Sequence, residues 1–404
     1  MTPPRSVEEH AAHVNRLLEP LSAEPDLETV PLAEAAGRVA AVDIRSEVDL
    51  PLFRNSQMDG YAVRAADVAR VPVALEVTGD VPAGHEVPLT LTPGTAIRIM
   101  TGAPVPSGAD TIVPVEDTEL VLGRDDDLAG AIVEIRRSRH RGEYVRERGS
   151  DLERGDVLVT AGTRLAARHL AALAAAGVTS LAVRARLRVA VLTTGSELAA
   201  PGRDVRFGQV FDANGVALAA LVEESGAVVS LRASSTDDPE AFARVLDAAL
   251  AASDLVVTSG GISKGAYEVV REVLLPRGAE VTTVAMQPGG PQATAVVDGV
   301  PVLCFPGNPV STQVSFAVFL RAPLRDAAGL PALPVRQERL TESVRSVPGK
   351  RQFLRGRVGA DGVAPVSGPG SHLVAAMATA DVLIDLPAEA ETVESGSDVT
   401  VWTL

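Results

Sequence analysis

Apolar residues in the middle of the chain form short continuous runs that alternate with segments of helical character. The runs at 189–193 and 255–258 are apolar or β-branched throughout, as expected of strands buried on both faces of a sheet. A third strand is predicted at 228–233, and helices are predicted at 214–224 and 239–252. Strands that alternate with helices predict a doubly wound, mostly parallel α/β domain.

The segments on either side follow other patterns. Residues 71–137 contain short alternating strands separated by Gly and Pro turns, which predicts a small β-domain. After Pro331 the helical period fades and short strands return, which predicts a C-terminal β-barrel. The predicted domains are a discontinuous N-terminal domain (1–50 and 143–180), a β-domain (51–142), the α/β domain (181–330) and the barrel (331–404).

The first helix is predicted from its capping residues. Ser6 and Glu9 have the spacing of a capping box, in which each side chain bonds the backbone N–H of the other residue. Pro20 cannot continue the hydrogen-bond ladder of a helix, so we expect this helix to end near Leu18.

Composition excludes several functions. A net charge of −15 over 404 residues argues against general binding to nucleic acid or anionic membranes. The single cysteine, Cys304, excludes intrachain disulfides and cysteine-rich zinc sites, and it lies in an apolar run typical of a core. The six histidines are scattered. The N-terminus shows no apolar signal core and no run could span a membrane, so we expect a cytoplasmic protein.

Glycine and hydroxyl residues follow three of the predicted strands, at 194–197, 259–263 and 306–311. Turns that follow parallel strands converge at the carboxyl edge of a sheet, where backbone N–H groups commonly hold phosphates. Glu197 adds a carboxylate to this edge. The pattern therefore favours an anionic ligand, with any metal being a hard cation held by oxygens. An ordinary tight turn explains the residues at 259–263 equally well.

Two other segments have both a functional and a structural interpretation. Six arginines between 136 and 148 form a candidate anion contact, although a solvated basic face accounts for most of them. Asp59 precedes Gly60 on an otherwise uncharged loop, where an Asp-Gly turn is the simpler interpretation.

The motifs taken together resemble the MoeA/gephyrin E-domain family, in order and over nearly the whole chain. The matching segments are Met-Asp-Gly-Tyr-Ala-Val-Arg at 58–64, Arg-Ile-Met-Thr-Gly-Ala-Pro at 98–104, Ser-Gly-Ala-Asp at 107–110, Arg-Gly-Ser-Asp at 148–151, Thr-Gly-Ser-Glu-Leu at 194–198, Ser-Gly-Gly-Ile-Ser at 259–263 and Pro-Gly-Asn-Pro-Val-Ser at 306–311.

The resemblance implies a function in molybdenum cofactor synthesis. Members of this family insert molybdate into adenylylated molybdopterin and release AMP, using a divalent cation that is usually Mg²⁺. They are elongated homodimers whose active site lies between the α/β domain of one subunit and the β-domain of the other. No nucleic-acid or membrane partner is expected, and a protein partner is unknown.

The resemblance also implies roles for individual residues. On the metal and molybdate side it implies Asp59, Thr101 and Asp151, with Asp59 and Asp151 as metal ligands. Glu197 and Glu268 are implied as pocket carboxylates, the latter where the family usually has Asp. The implied substrate-binding residues are Ser196, Ser259, Gly260, Gly261, Ser263, Lys264, Pro306, Gly307, Asn308 and Ser371.

The sequence departs from the family pattern at the expected anion site. The family usually reads Pro-Gly-Lys-Pro where this chain has Gly290 in place of the lysine, and Gln287 stands where a second lysine is common. Lys264 is a candidate to compensate for the lost charge. The missing lysines favour a diverged, gephyrin-like dimeric scaffold as the alternative to an active molybdopterin molybdenumtransferase. A single-domain adenylyltransferase is disfavoured by the additional β-domains.

Overall fold

The computed structural model describes residues 3–23, 26–84, 89–124, 127–262 and 268–404. The chain divides into two compact units, which we call unit 1 (Met1–Glu28 and Arg184–Leu404) and unit 2 (Thr29–Val183). Two predicted site residues, Ser263 and Lys264, lie outside the described residues.

Unit 2 is built around a six-stranded sheet, which agrees with the predicted strand-rich segment. Only the neighbours Val73–Val81 and Thr95–Ile99 run parallel. Asp59 immediately precedes one of the central strands, Gly60–Val63. In spatial order the strands are Thr111–Pro114, Gly60–Val63, Thr95–Ile99, Val73–Val81, Asp127–Ile135 and Thr118–Arg124.

The rest of unit 2 joins segments that are distant in the chain. Ile44–Arg45 pairs with Val157–Val159, and Leu50 forms a bridge with Leu152. The helix Ala167–Ala175 packs beside them and is followed by Gly177 at φ +77°. These pairings agree with a discontinuous segment around the β-domain, while the exact domain boundaries stay a prediction.

Unit 1 contains the predicted α/β sheet. Its strands are β1 (Arg188–Thr194), β2 (Val228–Ser235), β3 (Leu255–Ser259), β4 (Glu280–Thr283), β5 (Pro291–Val297) and β6 (Val300–Phe305), in the spatial order β2-β1-β3-β6-β5-β4. The four strands β2, β1, β3 and β6 are mutually parallel. At one side β5 pairs antiparallel with β6 and β4 pairs antiparallel with β5, so only β5 runs in the opposite direction. The mostly parallel sheet is therefore confirmed.

Apolar side chains cover both faces of this sheet, because successive residues of a strand point to opposite sides. On one face Val189, Val191 and Val257 share a core with the helices Val7–Ala23, Asn214–Glu224 and Pro309–Ser315, the last of which continues through a π-helical segment at Phe316–Leu320 into Arg321–Ala327. On the other face Ala190, Leu192 and Cys304 pack against the helices Pro239–Ala252 and Val269–Leu274. Burial raises the pKa of the Cys304 thiol to about 12, which makes it an inert core residue.

The first helix differs from the prediction in length and in the domain it joins. The capping box is present, with Glu9 N–H donating to Ser6 Oγ (3.1 Å) and Ser6 N–H donating to Glu9 Oε2 (2.8 Å). The helix nevertheless runs Val7–Ala23 with Pro20 inside it, so the predicted end near Leu18 is wrong. Pro20 lies in the last turns, where only one ladder hydrogen bond is lost. Val7, Val14 and Leu18 belong to the core of the α/β domain, which places residues 1–28 in unit 1 rather than with 29–50.

One buried histidine makes the packing of this helix sensitive to acid. His10 is only 1% exposed, packs edge-on against Phe319 and has an Nδ1 atom with no hydrogen-bond partner. Burial, helped by the nearby His13 and Arg5 and opposed by Glu280, lowers the pKa of His10 to about 4.

We therefore expect the free energy of unfolding to fall as the pH drops from about 6.5 to about 4. In that window the unfolded chain binds a proton at His10 and the folded chain does not. This difference lowers the free energy of unfolding by up to about 3 kcal/mol. Urea titrations across this range measure the slope. His10→Gln should flatten it and His140→Gln, an exposed control, should not; equal slopes in all three proteins would contradict the assignment.

The C-terminal segment forms the predicted barrel. The neighbouring strands are, in spatial order, Arg351–Gly359, Val382–Leu386, Asp398–Thr403 and Val335–Arg339. The other side of the first strand pairs with Met286–Gln287 and with Gly362–Pro365. A bridge from Leu340 to Val363 joins the two ends of this sheet and closes it. None of the helices in the described ranges combines the length and the apolar character that crossing a membrane requires.

Candidate active site

A cavity of about 1030 Å³ lies in unit 1 at the carboxyl ends of the parallel strands. The turns after β1, β3 and β6 line it together, as predicted, through Gly195, Gly261 and Gly307 among others. The remaining wall comes from 283–291 and from two loops of the C-terminal barrel, 349–350 and 369–372. Three predicted turns thus meet at one site, and the barrel completes it.

Two glycines shape the turn after β3, and a side chain at either position would force neighbouring atoms to move. Gly260 has φ +100°, and a Cβ atom there would lie 2.7 Å from the Thr194 carbonyl oxygen. Gly261 has φ +64°, and its Cβ atom would lie 2.9 Å from Val270 Cγ2. The turn after β3 can therefore lie directly against the turn after β1 only because both residues lack a side chain.

Ser259 connects the turns rather than offering its hydroxyl to the cavity. Its buried Oγ accepts a hydrogen bond from Asn214 Nδ2 (2.9 Å) and lies within 3.2 Å of the Pro306 carbonyl oxygen and 3.0 Å of Thr312 Oγ1. Asn214 Nδ2 also donates to the Gly307 carbonyl (2.7 Å). The predicted residues Ser259, Pro306 and Gly307 are thus held as one rigid wall.

The groups left for an anionic ligand are main-chain amides and one hydroxyl. Gly260 N–H is already used by the Phe305 carbonyl (3.1 Å). The N–H groups of Gly261, Gly307 and Asn308 donate to no other described residue. Thr194 Oγ1 is buried, has no hydrogen-bond partner among the described residues and lies beside the Gly260–Gly261 turn. Converging free donors of this kind suit phosphate oxygens.

Three carboxylates line the same cavity: Glu197, Asp237 and Glu268. Asp237 accepts a hydrogen bond from Ser196 N–H (2.9 Å), and the Ser196 hydroxyl accepts one from Asp237 N–H (3.2 Å). Ser196 itself is not part of the cavity wall, so it acts by fixing Asp237. Glu197 is exposed, and its carboxylate makes no contact with a described residue that would neutralise it.

These carboxylates fit a magnesium ion that arrives with a phosphate. Within the described ranges no three His, Cys, Asp or Glu side chains are grouped to hold a metal ion by themselves. Magnesium normally takes one or two carboxylates, keeps several waters and shares the phosphate oxygens of a substrate. Glu197 with Asp237 or Glu268 provides that donor set.

Positive charge reaches the cavity from the barrel. Gly290 and Gln287, which stand where the family usually has lysines, line the cavity wall without adding charge. Gln287 Oε1 accepts a hydrogen bond from Gln352 Nε2 (3.0 Å). Lys350, one of only two lysines in the chain, lines the cavity from the loop before Arg351–Gly359. Its side chain is exposed and forms no ion pair with a described residue.

Ser371 lies where predicted, in a barrel loop that also contributes His372 to the wall. The Ser371 carbonyl accepts a hydrogen bond from Val310 N–H (3.0 Å), which ties this loop to the helix after β6. Arg355 is fully buried and donates to Ser367 Oγ (2.8 Å) and to the Gly368 carbonyl, which fixes the start of the loop.

The other predicted site residues, Asp59, Thr101 and Asp151, all lie in unit 2 and are exposed. Asp59 Oδ1 accepts hydrogen bonds from Thr101 N–H (2.6 Å) and Thr101 Oγ1 (2.7 Å). These two bonds hold the pKa of the Asp59 carboxyl below its usual value. The Asp59 carboxylate is therefore held in one orientation and in its ionised form.

Five of the six arginines at 136–148 form ion pairs with described carboxylates. Arg139 and Arg137 both contact Asp117, and Arg148 contacts Asp49. Arg136 pairs with glutamates, and Arg141 lies 3.8 Å from Asp110. The interpretation as a solvated, paired face is the one that the structure favours.

Sequence profiles of known families match the chain in three consecutive parts. The MoeA N-terminal region (domain I and II) matches residues 5–177, a probable molybdopterin binding domain matches 190–326, and the MoeA C-terminal region (domain IV) matches 337–404. The molybdopterin molybdenumtransferase 2 of Mycobacterium tuberculosis is 43% identical over 418 residues, covering 99% of this chain and 100% of that protein.

The chain belongs to the MoeA family.

Other MoeA relatives agree. The molybdopterin molybdenumtransferase of Nostoc is 38% identical and covers 81% of this chain and 76% of that protein. The crystal structure of a molybdopterin biosynthesis MoeA protein from Pyrococcus horikoshii has a TM-score of 0.79 at 33% identity, covering 96% of this chain and 98% of that one. The MoeA fold inferred from the motifs is thereby confirmed.

Several cavity residues of this MoeA chain were not predicted. Asn214 and Lys350 do not directly follow a parallel strand, so the local pattern gives no reason to select them. Asp237 comes two residues after the parallel strand β2, which is a usable signal, but its turn contains no glycine. Thr194 lies in the matching segment 194–198 but is not among the predicted site residues. The sequence does contain one signal for Lys350. It is one of only two lysines in the chain, and it directly follows a Pro-Gly pair.

Proposed function

We propose that this protein is a molybdopterin molybdenumtransferase, which inserts molybdate into adenylylated molybdopterin and releases AMP in molybdenum cofactor biosynthesis. The observation that carries this is the cavity at the carboxyl edge of the sheet, where free amides, a free hydroxyl and carboxylates face one space. The full-length similarity to relatives with this name supports it and favours it over the scaffold alternative.

The phosphate groups of the substrate are held by the turns after β3 and β6. Gly261, Gly307 and Asn308 provide N–H donors, and Thr194 provides a hydroxyl. Lys350 adds the positive charge that Gly290 and Gln287 do not supply. The rigid connection of Ser259 to Asn214 keeps the donors fixed before the substrate binds, which reduces the ordering cost of binding.

Carboxylates that line the same cavity would hold the cation and orient the leaving nucleotide. Glu197 with Asp237 or Glu268 would hold Mg²⁺ against the phosphate oxygens, and the ion would neutralise the charge that develops as AMP departs. The proposal includes a cytoplasmic homodimer in which Asp59, Thr101 and Asp151 of the partner subunit approach the molybdate. Asp59 is suited to this role because Thr101 keeps it ionised and oriented.

The experiment that tests the function is molybdate-dependent release of AMP. Purified protein is incubated with adenylylated molybdopterin, molybdate and Mg²⁺, and AMP is quantified over time beside Glu197→Gln. The wild type should release AMP only when molybdate is present, and Glu197→Gln should be much slower. A wild type as slow as this variant would support the scaffold function.

Lys350 gives a separate prediction. Lys350→Met should raise the KM for molybdate or the Kd for AMP about tenfold at low salt, because one charge-assisted contact to an anion is lost. Lys350→Arg, which keeps the charge, is the matched control and should stay near wild type. Unchanged KM and Kd in Lys350→Met would show that this side chain does not contact an anionic substrate.

A further inference from the structure

An exposed loop rises from the rim of the cavity between two of its lining residues. Leu198 and Asn214 line the cavity, and the chain between them leaves and returns through a short parallel pair, Leu198–Ala199 with Val210–Phe211. Val210 N–H donates to the Glu197 carbonyl (2.9 Å), which fixes the base of the loop beside a pocket carboxylate.

The tip of this loop exposes an aromatic ring. Phe207 is completely exposed, although only 3% of the chain is aromatic. Among the cavity-lining residues that the structure describes, none is Phe, Tyr or Trp. His372 adds only an imidazole to this wall, so a phenyl ring supplied from the rim would give a bound nucleotide base a larger stacking surface.

The loop has positive side chains that can contact a phosphate and glycines at which its backbone can bend. Arg203 and Arg206 are exposed and form no ion pair with a described residue, so both are free to meet phosphate. Gly202 at φ +84° and Gly208 at φ +87° lie at the two ends of the tip, each with open space around it. Glycines in such positions can change their backbone angles at little cost.

We propose that the loop 200–209 closes over the cavity when nucleotide binds, with Phe207 stacking on the purine base and Arg203 and Arg206 facing its phosphate. This inference rests on the proposed function, since it names how the adenylyl part of the substrate is recognised. It makes Phe207 the residue that distinguishes a base-bearing phosphate from a simple sugar phosphate.

Calorimetry with AMP and with ribose 5-phosphate tests the stacking directly. Phe207→Ala should weaken AMP binding about tenfold and leave ribose 5-phosphate binding unchanged, because only AMP has a base to stack. Phe207→Trp should keep wild-type affinity and show a change in tryptophan fluorescence with AMP. Phe211→Leu, which alters an exposed ring at the base of the same loop, is the matched control and should bind AMP like wild type.

Limited trypsin digestion tests the closure without relying on a variant. AMP should protect the bonds after Arg203 and Arg206, and ribose 5-phosphate should protect them less. Equal AMP affinity in wild type and Phe207→Ala overturns the inference alone. A wild type that does not bind AMP overturns the proposed function as well. Dissociation of a dimer by Phe207→Ala at unchanged AMP affinity would assign the ring to a subunit contact and also overturn the inference.

Discussion

Asp59→Asn is expected to slow molybdate-dependent AMP release on the order of 100-fold while AMP affinity stays unchanged. The asparagine oxygen can still accept both hydrogen bonds from Thr101, so the loop keeps its geometry and only the charge is removed. The proposed nucleotide site lies in unit 1, whereas Asp59 lies in unit 2, so the effect on rate should be separable from the effect on nucleotide affinity.

The control for this substitution is Asp80→Asn, which removes an exposed carboxylate from the same sheet and should leave the rate unchanged. Thr101→Val adds a second test, because it removes one of the bonds that lower the pKa of Asp59. The acid limb of the pH–rate profile should then move to higher pH. If Asp59→Asn and Asp80→Asn have equal rates, Asp59 has no part in the reaction.

Gly260→Ala is expected to abolish AMP binding and to lower the free energy of unfolding by several kcal/mol. The added methyl group would lie 2.7 Å from the Thr194 carbonyl oxygen and 2.8 Å from its hydroxyl, so the two turns must separate. The positive φ of +100° adds a strain of about 1–2 kcal/mol for any residue with a side chain. Urea unfolding and calorimetry with AMP measure the two effects.

Gly299→Ala distinguishes the effect of backbone strain from the effect of a close contact between the added methyl group and a neighbouring turn. Gly299 has a similar positive φ of +85°, but no atom lies within 4 Å of the position of its added Cβ. This variant should lose about 1–2 kcal/mol from backbone strain and should bind AMP normally. A Gly260→Ala protein that binds AMP like Gly299→Ala would show that close contact between the two turns is not needed for the site.

The local pattern of the sequence was sufficient to predict the sheet and the convergence of its turns. Continuous apolar runs such as 189–193 and 255–258 are typical of strands covered on both faces, and the order of strands and helices fixes which ends carry the turns. The assignment to the MoeA family depended on the order of many separated motifs. The resemblance, rather than the pattern, selected Asp59 and Asp151.

What could not be predicted depends on contacts between distant segments. The hydrogen bonds of the Ser259 hydroxyl with Asn214 and Pro306 depend on how three turns pack together. The placement of the first helix in unit 1 depends on Val7, Val14 and Leu18 completing the core of the α/β domain. Lys350 enters the cavity because the barrel folds against residues 286–287, a pairing that no local pattern reveals.

The proposed function depends on the turns after β3 and β6 binding the phosphates of the substrate. The most direct measurement is a crystal structure with ADP and Mg²⁺, since the diphosphate of ADP resembles the linkage between AMP and the pterin phosphate. Phosphate oxygens are expected within about 3 Å of the amide nitrogens of Gly261 and of Gly307 or Asn308. A diphosphate bound elsewhere, with these amides facing only water, would contradict it.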